Sequence, residues 1–401
     1  MSMDNKVPDI RFKGFSGEWE TSMLSNLALF NPKSELPERF KYVDLESVKG
    51  TSLIGYSVES RESAPSRAQR LARMGDVFYQ TVRPYQKNNY LFQLAEPDYV
   101  FSTGYAQLRP YFNGNYLLNL IQRDSFVKNV LDSCTGTSYP AINASVLATL
   151  EVNYPESGKE QTQIGSYFQK LDVLINQHQQ KHDKLNNIKK AMLKKMFPKQ
   201  GETIPEIRFK GFGGAWGKNI LEDICDVRDG THASPQYHKN GFPLVTSKNV
   251  KNGYINYDDV QYISKIDFDE INKRSKVDVN DILMGMIGTI GNIALIREDS
   301  EFAIKNVALI KDKNLIYFLY IYYFLQSPTI IQQLEDSASG GTQKFISLSN
   351  VRCLLIYLPE REEQAAIGNY FQKLDTLINQ HQQQITKLNN IKQACLSKMF
   401  V

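Results

Sequence analysis

Apolar and polar positions along residues 164–197 alternate with a helical period. Apolar side chains stand at Ile164, Tyr167, Leu171, Leu174, Leu185, Ile188 and Met192, widened by Phe168 and Ile175. Spacings of three and four residues place them on one stripe of a helix. Residues 367–400 repeat the pattern, and 26 of the 34 positions are identical to 164–197. Ser157 and Glu160 form a candidate capping box before the first segment, and Pro198 and Gly201 follow its end. The second segment is predicted to start at Pro359, with Glu360, Glu362 and Glu363 where the helix dipole favours negative charge. Each helix of about 37 residues would be a rod of about 55 Å.

The duplication is wider than these helices. VPDIRFKGFSGEWE (7–20) returns as IPEIRFKGFGGAWG (204–217). The chain is thus two halves, each a lead-in motif, a long middle and a helix. The middles, about 21–155 and 218–358, look unlike each other. One trace survives between CTGTSYPAINASVLATLEVNYP and SGGTQKFISLSNVRCLLIYLP, each read as a Gly-Thr turn, an alternating apolar strand and a closing Pro. NLIYFLYIYYFLQS reads as a buried helix. The period is too long for a solenoid and indicates a duplicated domain plus helix.

A rod with one apolar stripe needs a partner surface. Near-identity of the two helices favours antiparallel pairing with each other about a pseudo-twofold axis. Ile164, Leu171, His178, Leu185 and Ile188 would then share a seam with Ile367, Leu374, His381, Leu388 and Ile391. His178 and His381 would approach at the crossing, where a Gln-rich polar layer fixes register. The alternative is that each helix packs only on its own domain. The expected fold is α+β: two globular α/β domains joined by two long helices paired as an antiparallel intramolecular coiled coil. The expected divisions are 1–157 and 201–358 for the domains, and 158–200 and 359–401 for the helices.

Composition narrows the function. The 401 residues are 42% apolar and 22% charged, with a net charge of +4, which permits a nucleic-acid partner without demanding one. The four cysteines form no CxxC pair and read as reduced, which places the chain in the cytoplasm. MSMDNKVPDI lacks an apolar signal core, and no apolar run suits a membrane span. His178 and His182 are spaced for a metal, but Ile385 replaces His182 in the second copy, so no metal site is expected. No methylation motif of the Asn-Pro-Pro-aromatic kind, Walker loop or dinucleotide fingerprint is present. Gly285, Gly288 and Gly291 in MGMIGTIGN are spaced by threes. No catalytic residues are expected.

The whole plan resembles the specificity subunit of Type I restriction–modification enzymes. ESGKEQTQIGSYFQKLD and EREEQAAIGNYFQKLD resemble that family's conserved-region start, and the duplicated IRFKGF motif resembles its lead into each target recognition domain. PSRAQRL, GDVFYQTVRPYQKN and YVFSTGYAQLRP in the first middle resemble family segments in order. So do RDGTHASPQY, GFPLVTSKNVKNGYI, DILMGMIGTIGNIALI and SASGGTQKFISLSNV in the second. The resemblance implies that each middle is a target recognition domain reading one half of a split double-stranded DNA site. The helices would set the gap and dock modification (methyltransferase) subunits, joined by restriction (translocase/nuclease) subunits. S-adenosylmethionine, ATP and Mg2+ would sit on those partners, with no cofactor in this chain. Competing readings are a non-catalytic helical oligomerisation or scaffold protein, and an enzyme acting alone.

Residue chemistry supplies the candidate DNA contacts. Arg67, Arg70 and Arg73 in SRAQRLAR stand at helical spacing, for phosphates or for solvent. Arg83, Tyr85 and Lys87 surround a Pro turn, and the Arg83 fork suits guanine in the major groove or a surface salt bridge. Tyr105 and Gln107 lie in a strand-like alternation. Thr137, Ser138 and Tyr139 precede the shared strand. In the second middle the candidates are Thr231 and His232, Lys248, Asn249 and Lys251, Thr289 and Asn292, Lys305 and Asn306, and Gln343 and Lys344. Asn249 is suited to adenine. The basic tail KLNNIKKAMLKKMFPK reads as a DNA-backbone contact, an acidic-partner contact or a solvated face.

Overall fold

The computed structural model describes residues 6–136, 138–288, 290–299, 301–341 and 344–401. The long helices run Gly158–Lys195 and Arg361–Lys398. Two compact units form: Met1–Gln180 with Gln382–Val401, and Lys181–His381. Each unit therefore contains the start of one long helix and the end of the other.

In the first unit, strands Ala28–Phe30, Tyr105–Pro110, Val77–Gln80 and Tyr90–Leu91 are neighbours in one antiparallel sheet. A second sheet orders Ser57–Ser60, Arg39–Val43, Tyr99–Ser102 and Ala68–Leu71, with one parallel pair between Tyr99–Ser102 and Arg39–Val43. Strand VFYQ is buried along its length because it is covered on both faces. Phe78 joins Phe101 and Tyr105 in an aromatic core that also takes in Val43 and Tyr99. Val77 and Tyr79 join a core built with helices Gly114–Ile121 and Asp124–Asp132 and with both long helices.

The second unit repeats this scheme. Cys225–Asp229, Val307–Asp312, Ile282–Gly285 and Ile293–Leu295 form the four-stranded sheet, and Gln261–Ile263, Phe242–Thr246 and Ala303–Lys305 the other. The parallel pair recurs, now between Phe242–Thr246 and Ala303–Lys305. Where the first unit has strand Ala68–Leu71, the second has helix Lys265–Ser275. Ser264 caps that helix by accepting from Asp267 N, and Phe268 stacks on Phe242. The YFLYIYY stretch supplies helix Phe318–Phe324, almost wholly buried, as its apolar character predicts. The surviving trace between the middles is a helical turn followed by a strand, not a single strand. Asn143 and Ser347 cap helices Ala144–Thr149 and Leu348–Arg352, leading to Glu151–Tyr154 and Leu355–Leu358. Side-chain caps in INAS and ISLS won over the alternation.

The long helices pair antiparallel inside each unit. In the first, Tyr167 OH lies 3.6 Å from Cys395 Sγ and Asp172 Oδ1 accepts from Lys392 Nζ at 2.5 Å, so one helix ascends as the other descends. Ile164, Phe168 and Leu171 pack there with Leu388, Ile391 and Leu396. In the second, Lys189 pairs with Asp375 at 2.6 Å and Phe197 stacks on Phe371. Leu185 and Ile188 pack there with Ile367 and Leu374. Seam positions named from the periodicity thus line these two packed regions. His178 falls in the first unit and His381 in the second.

The duplicated lead-in motif locks each helix start. Arg11 donates Nε and Nη2 to Glu160 at 2.6 and 2.8 Å, and Arg208 does the same to Glu363 at 2.7 Å for each. Both carboxylates are 1% exposed. Ile10 N donates to Lys398 O and Ile207 N to Lys195 O, each at 2.9 Å, so both motifs also satisfy a helix C-terminus.

Candidate nucleic-acid interface

In the first unit three loops meet at one end of the sheets. Thr81 N and Oγ1 both donate to Gly104 O, at 2.9 and 2.8 Å, joining the loop after Val77–Gln80 to the turn before Tyr105. Val82 bridges Ala141, Arg83 N donates to Pro140 O, and Ile142 N donates to Thr81 O. The tip is a 3-10 turn, Pro84–Gln86, flanked by Arg83 (φ 53°) and Lys87 (φ 55°). Every other positive-φ non-glycine residue among the described residues is an asparagine, which tolerates this conformation. Two long side chains held here store strain of about 1 kcal/mol or more each, as functional loops do. The Arg83 guanidinium lies 4.5 Å from the centre of the Tyr139 ring. Tyr139 and Tyr85 are 65% and 50% exposed, so the pair stands at the surface. Lys87 turns away to Asp124, at 2.5 Å, and Ser138 is exposed.

The second unit builds the same frame from other residues. Ile287 bridges Phe345, Gly288 N donates to Lys344 O, and Ile346 N donates to Met286 O. Gly288 (φ 80°) therefore occupies the place of Arg83. Ser247 Oγ donates to Asn306 O at 2.6 Å and accepts from Met286 N and Ile287 N, tying three loops together. Thr231 N donates to Ile304 O, and Asn306 N to Thr231 O. A Cβ at Gly230 would lie 2.1 Å from Ile304 O, so this close approach requires glycine. The exposed His232 ring spans Asp229 Oδ2 and Asn306 Oδ1, at 2.7 Å from each, and Arg274 pairs with the same carboxylate. Lys305 Nζ reaches Ser234 Oγ at 2.7 Å. Thr231, His232, Lys305, Asn306 and Lys344 are brought together in this way.

One local expectation is corrected, and the remaining candidates lie in other surroundings. SRAQRLAR is not helical: Ala68–Leu71 is a strand paired to Tyr99–Ser102, so Arg67, Arg70 and Arg73 share no helix face. Pairing to a neighbouring strand overrides the local propensity of Ala, Gln, Arg and Leu. Arg67 and Arg73 are exposed, and Arg70 is half-buried. Tyr105 and Gln107 are fully buried. Tyr105 OH donates to Asp44 O, and burial pushes its pKa well up. Gln107 Nε2 donates to Asp76 Oδ2 and Leu71 O, bracing a buried carboxylate that also receives Arg109. Asn249 is 3% exposed; its Oδ1 accepts from Thr246 N and Oγ1 and its Nδ2 donates to Asn256 O, so its amide is turned into the fold. Lys248 pairs with Asp259, Asn292 Nδ2 donates to Val250 O, and Lys251 lies in the adjoining hairpin. Thr137, Thr289 and Gln343 lie outside the described residues. Sequence reasoning missed Ser247, Asp229 and Arg274. It also missed the Arg11–Glu160 and Arg208–Glu363 locks, although both partners recur in both copies.

A family model, the Type I restriction modification DNA specificity domain, matches residues 36–187 and again 214–390. The chain belongs to that family. The specificity subunit of the Type I restriction enzyme EcoBI from Escherichia coli is 29% identical over 195 residues, covering 46% of this chain and 41% of that one. The MjaVIII specificity subunit of Methanocaldococcus jannaschii is 23% identical over 291 residues, covering 69% and 67%. The match thus spans only about two fifths of the EcoBI subunit. Among solved structures, the Type I S subunit from M. genitalium superposes with a TM-score of 0.64 over 98% of this chain and 99% of its own, at 14% identity. A chain from a study of complex assembly in the type I R-M system gives 0.55 over 95% and 97%, at 20% identity. Both share their fold with this chain. The scaffold alternative finds no support in these comparisons. Among the described residues, no helix is long and apolar enough to cross a membrane.

Proposed function

We propose that this protein is the DNA-reading, non-catalytic subunit of a Type I restriction–modification complex. Domains 1–157 and 201–358 each read one half of a split, asymmetric site, and helices 158–200 and 359–401 set the unread gap. The observation that carries this reading is one loop frame with unlike tips: Arg83 stacked on Tyr139 in one unit, Gly288 at the same station in the other. Base edges are distinguished by side-chain forks and amides in the major groove, so differing tips on a shared frame suit two differing half-sites. The lead-in faces, by contrast, are alike. Phe12 meets Tyr167 edge-on at 5.9 Å, and Phe209 meets Tyr370 at 5.8 Å. Two like faces suit two copies of one partner, the modification subunit, with the restriction subunit joining them. S-adenosylmethionine, ATP and Mg2+ belong to those partners, and the complex works in the cytoplasm.

The test is selection from a random duplex pool by the full chain, followed by sequencing of the bound DNA. Two different short motifs at a fixed spacing are expected. No enrichment, or one uninterrupted motif, overturns the reading.

A further inference from the structure

Arginines in this fold are almost all spoken for. Among the described residues, the partly or wholly buried ones are Arg11, Arg70, Arg83, Arg109, Arg123, Arg208, Arg228 and Arg352. Arg11, Arg109, Arg208 and Arg228 hold carboxylates, Arg123 and Arg352 hold backbone carbonyls, and Arg83 lies on Tyr139. Arg70 has none of these. Its Nε is buried without a hydrogen-bond partner. Burial lowers its pKa, with no acidic neighbour to offset the loss of water. A partly desolvated cation with no counter-charge is a cost that folding alone does not explain.

Its position gives a reason. Arg70 lies on the edge strand Ala68–Leu71, opposite Phe101. Thr103 N donates to Arg67 O, and the adjoining Gly104 receives Thr81, which begins the reading loop. Arg67 directly precedes that strand, and Arg70 stands three residues further on, about 10 Å along the chain. The major groove is about 12 Å wide, so a cation set back along an edge strand from the reading loop suits the sugar–phosphate backbone better than base edges.

We propose that Arg70 is a preformed seat for a DNA phosphate beside the first half-site. This rests on the DNA-reading role proposed above. Phosphate contacts fix register without reading sequence, so Arg70 supplies affinity and placement while Arg83 supplies discrimination. The second unit has helix Lys265–Ser275 at this station, and its Arg274 is committed to Asp229.

The decisive variant is Arg70→Met, which keeps the stem's apolar packing and removes the charge. The full chain is tested on a duplex carrying the selected motif and on one of scrambled sequence, across a salt series. Affinity is expected to fall about tenfold on both duplexes, and the slope of log K against log salt to shrink by about one. The melting midpoint of the DNA-free chain should hold or rise by about 2–4 °C. Arg70→Lys, a point charge, should keep the salt slope. An unchanged slope in Arg70→Met, a loss confined to the selected motif, a lowered midpoint or failure to fold each overturns the assignment. Wild-type chain that binds neither duplex removes the DNA-reading role itself. Wild-type binding with the Met variant's slope intact removes only Arg70.

Discussion

The two units agree where they hold the long helices and differ where their loops are free. Arg11–Glu160 and Arg208–Glu363 are the same lock built twice, to within about 0.1 Å in each bond. At the other end the first unit has strand Ala68–Leu71 where the second has helix Lys265–Ser275, and Arg83 where the second has Gly288. The frame beneath is retained through backbone hydrogen bonds that ask nothing of the side chains, such as Arg83 N to Pro140 O and Gly288 N to Lys344 O. A fold bound together in this way tolerates exchange of its loop tips while its base stays fixed.

The largest expected effect tests the shared base. Arg11→Ala leaves Glu160 buried and unpaired, and Arg208→Ala does the same to Glu363. Each should cost about 3–5 kcal/mol in its own unit. Denaturant melts combined with amide exchange should place the loss in the unit mutated. A loss below about 1 kcal/mol at either site would mean the carboxylate finds water, and the lock would be an ordinary surface pair.

A second test separates the units at a shared glycine. Gly165 and Gly368 sit at equivalent points of IGSY and IGNY, each pressed on the start of a neighbouring helix. A Cβ at Gly165 would lie 2.5 Å from Asn113 Oδ1 and 2.8 Å from Tyr116 N. At Gly368 the nearest atom is Cε1 of the Tyr317 ring, at 2.8 Å. In an open helix Gly→Ala gains up to about 1 kcal/mol. Here Gly165→Ala is expected to cost about 2–3 kcal/mol, because backbone and its capping side chain must shift. Gly368→Ala should cost less than half that, since a Tyr ring can swing aside. Equal losses in thermal melts would show that packing, not backbone, decides both.

How much of this was legible in the sequence depends on what kind of signal each feature leaves. The long helices were readable because a stripe of apolar residues repeats over many turns and does so twice. Strand Ala68–Leu71 was not, because its pairing to Tyr99–Ser102 is non-local and Ala, Gln, Arg and Leu alone favour a helix. Tyr105, Gln107 and Asn249 carry polar groups that suit DNA equally well in a core, and composition cannot tell an outward amide from one bracing Asp76. The Pro turn around Arg83 was visible as a turn. Its left-handed flanks were not, since nothing in VRPYQK announces a positive φ at Arg and Lys.

The third test exchanges the tips. Arg83→Gly should relieve left-handed strain and stabilise the first unit by about 1 kcal/mol. It should also flatten the preference at one position of the first selected motif. Gly288→Arg has open space for its Cβ, since nothing lies within 4 Å of it. It should cost about 1 kcal/mol and create a new preference in the second motif, read by repeating the selection. If both motifs stay as they were, positions 83 and 288 are not where bases are read.

The smallest expected effect concerns Tyr139, which on the proposed reading acts on DNA only through Arg83. A guanidinium over an exposed aromatic ring is worth about 0.5–1 kcal/mol, so Tyr139→Ala should weaken discrimination at the Arg83-dependent base about two- to fivefold. Tyr139→Phe keeps the ring and should match wild type, because the hydroxyl is not what Arg83 lies against. In the Arg83→Gly background neither Tyr139 change should alter the motif further, since the group it positions is gone. An additive loss in the double variant would instead make Tyr139 an independent contact. The stacked pair would then be two neighbouring contacts rather than one reader.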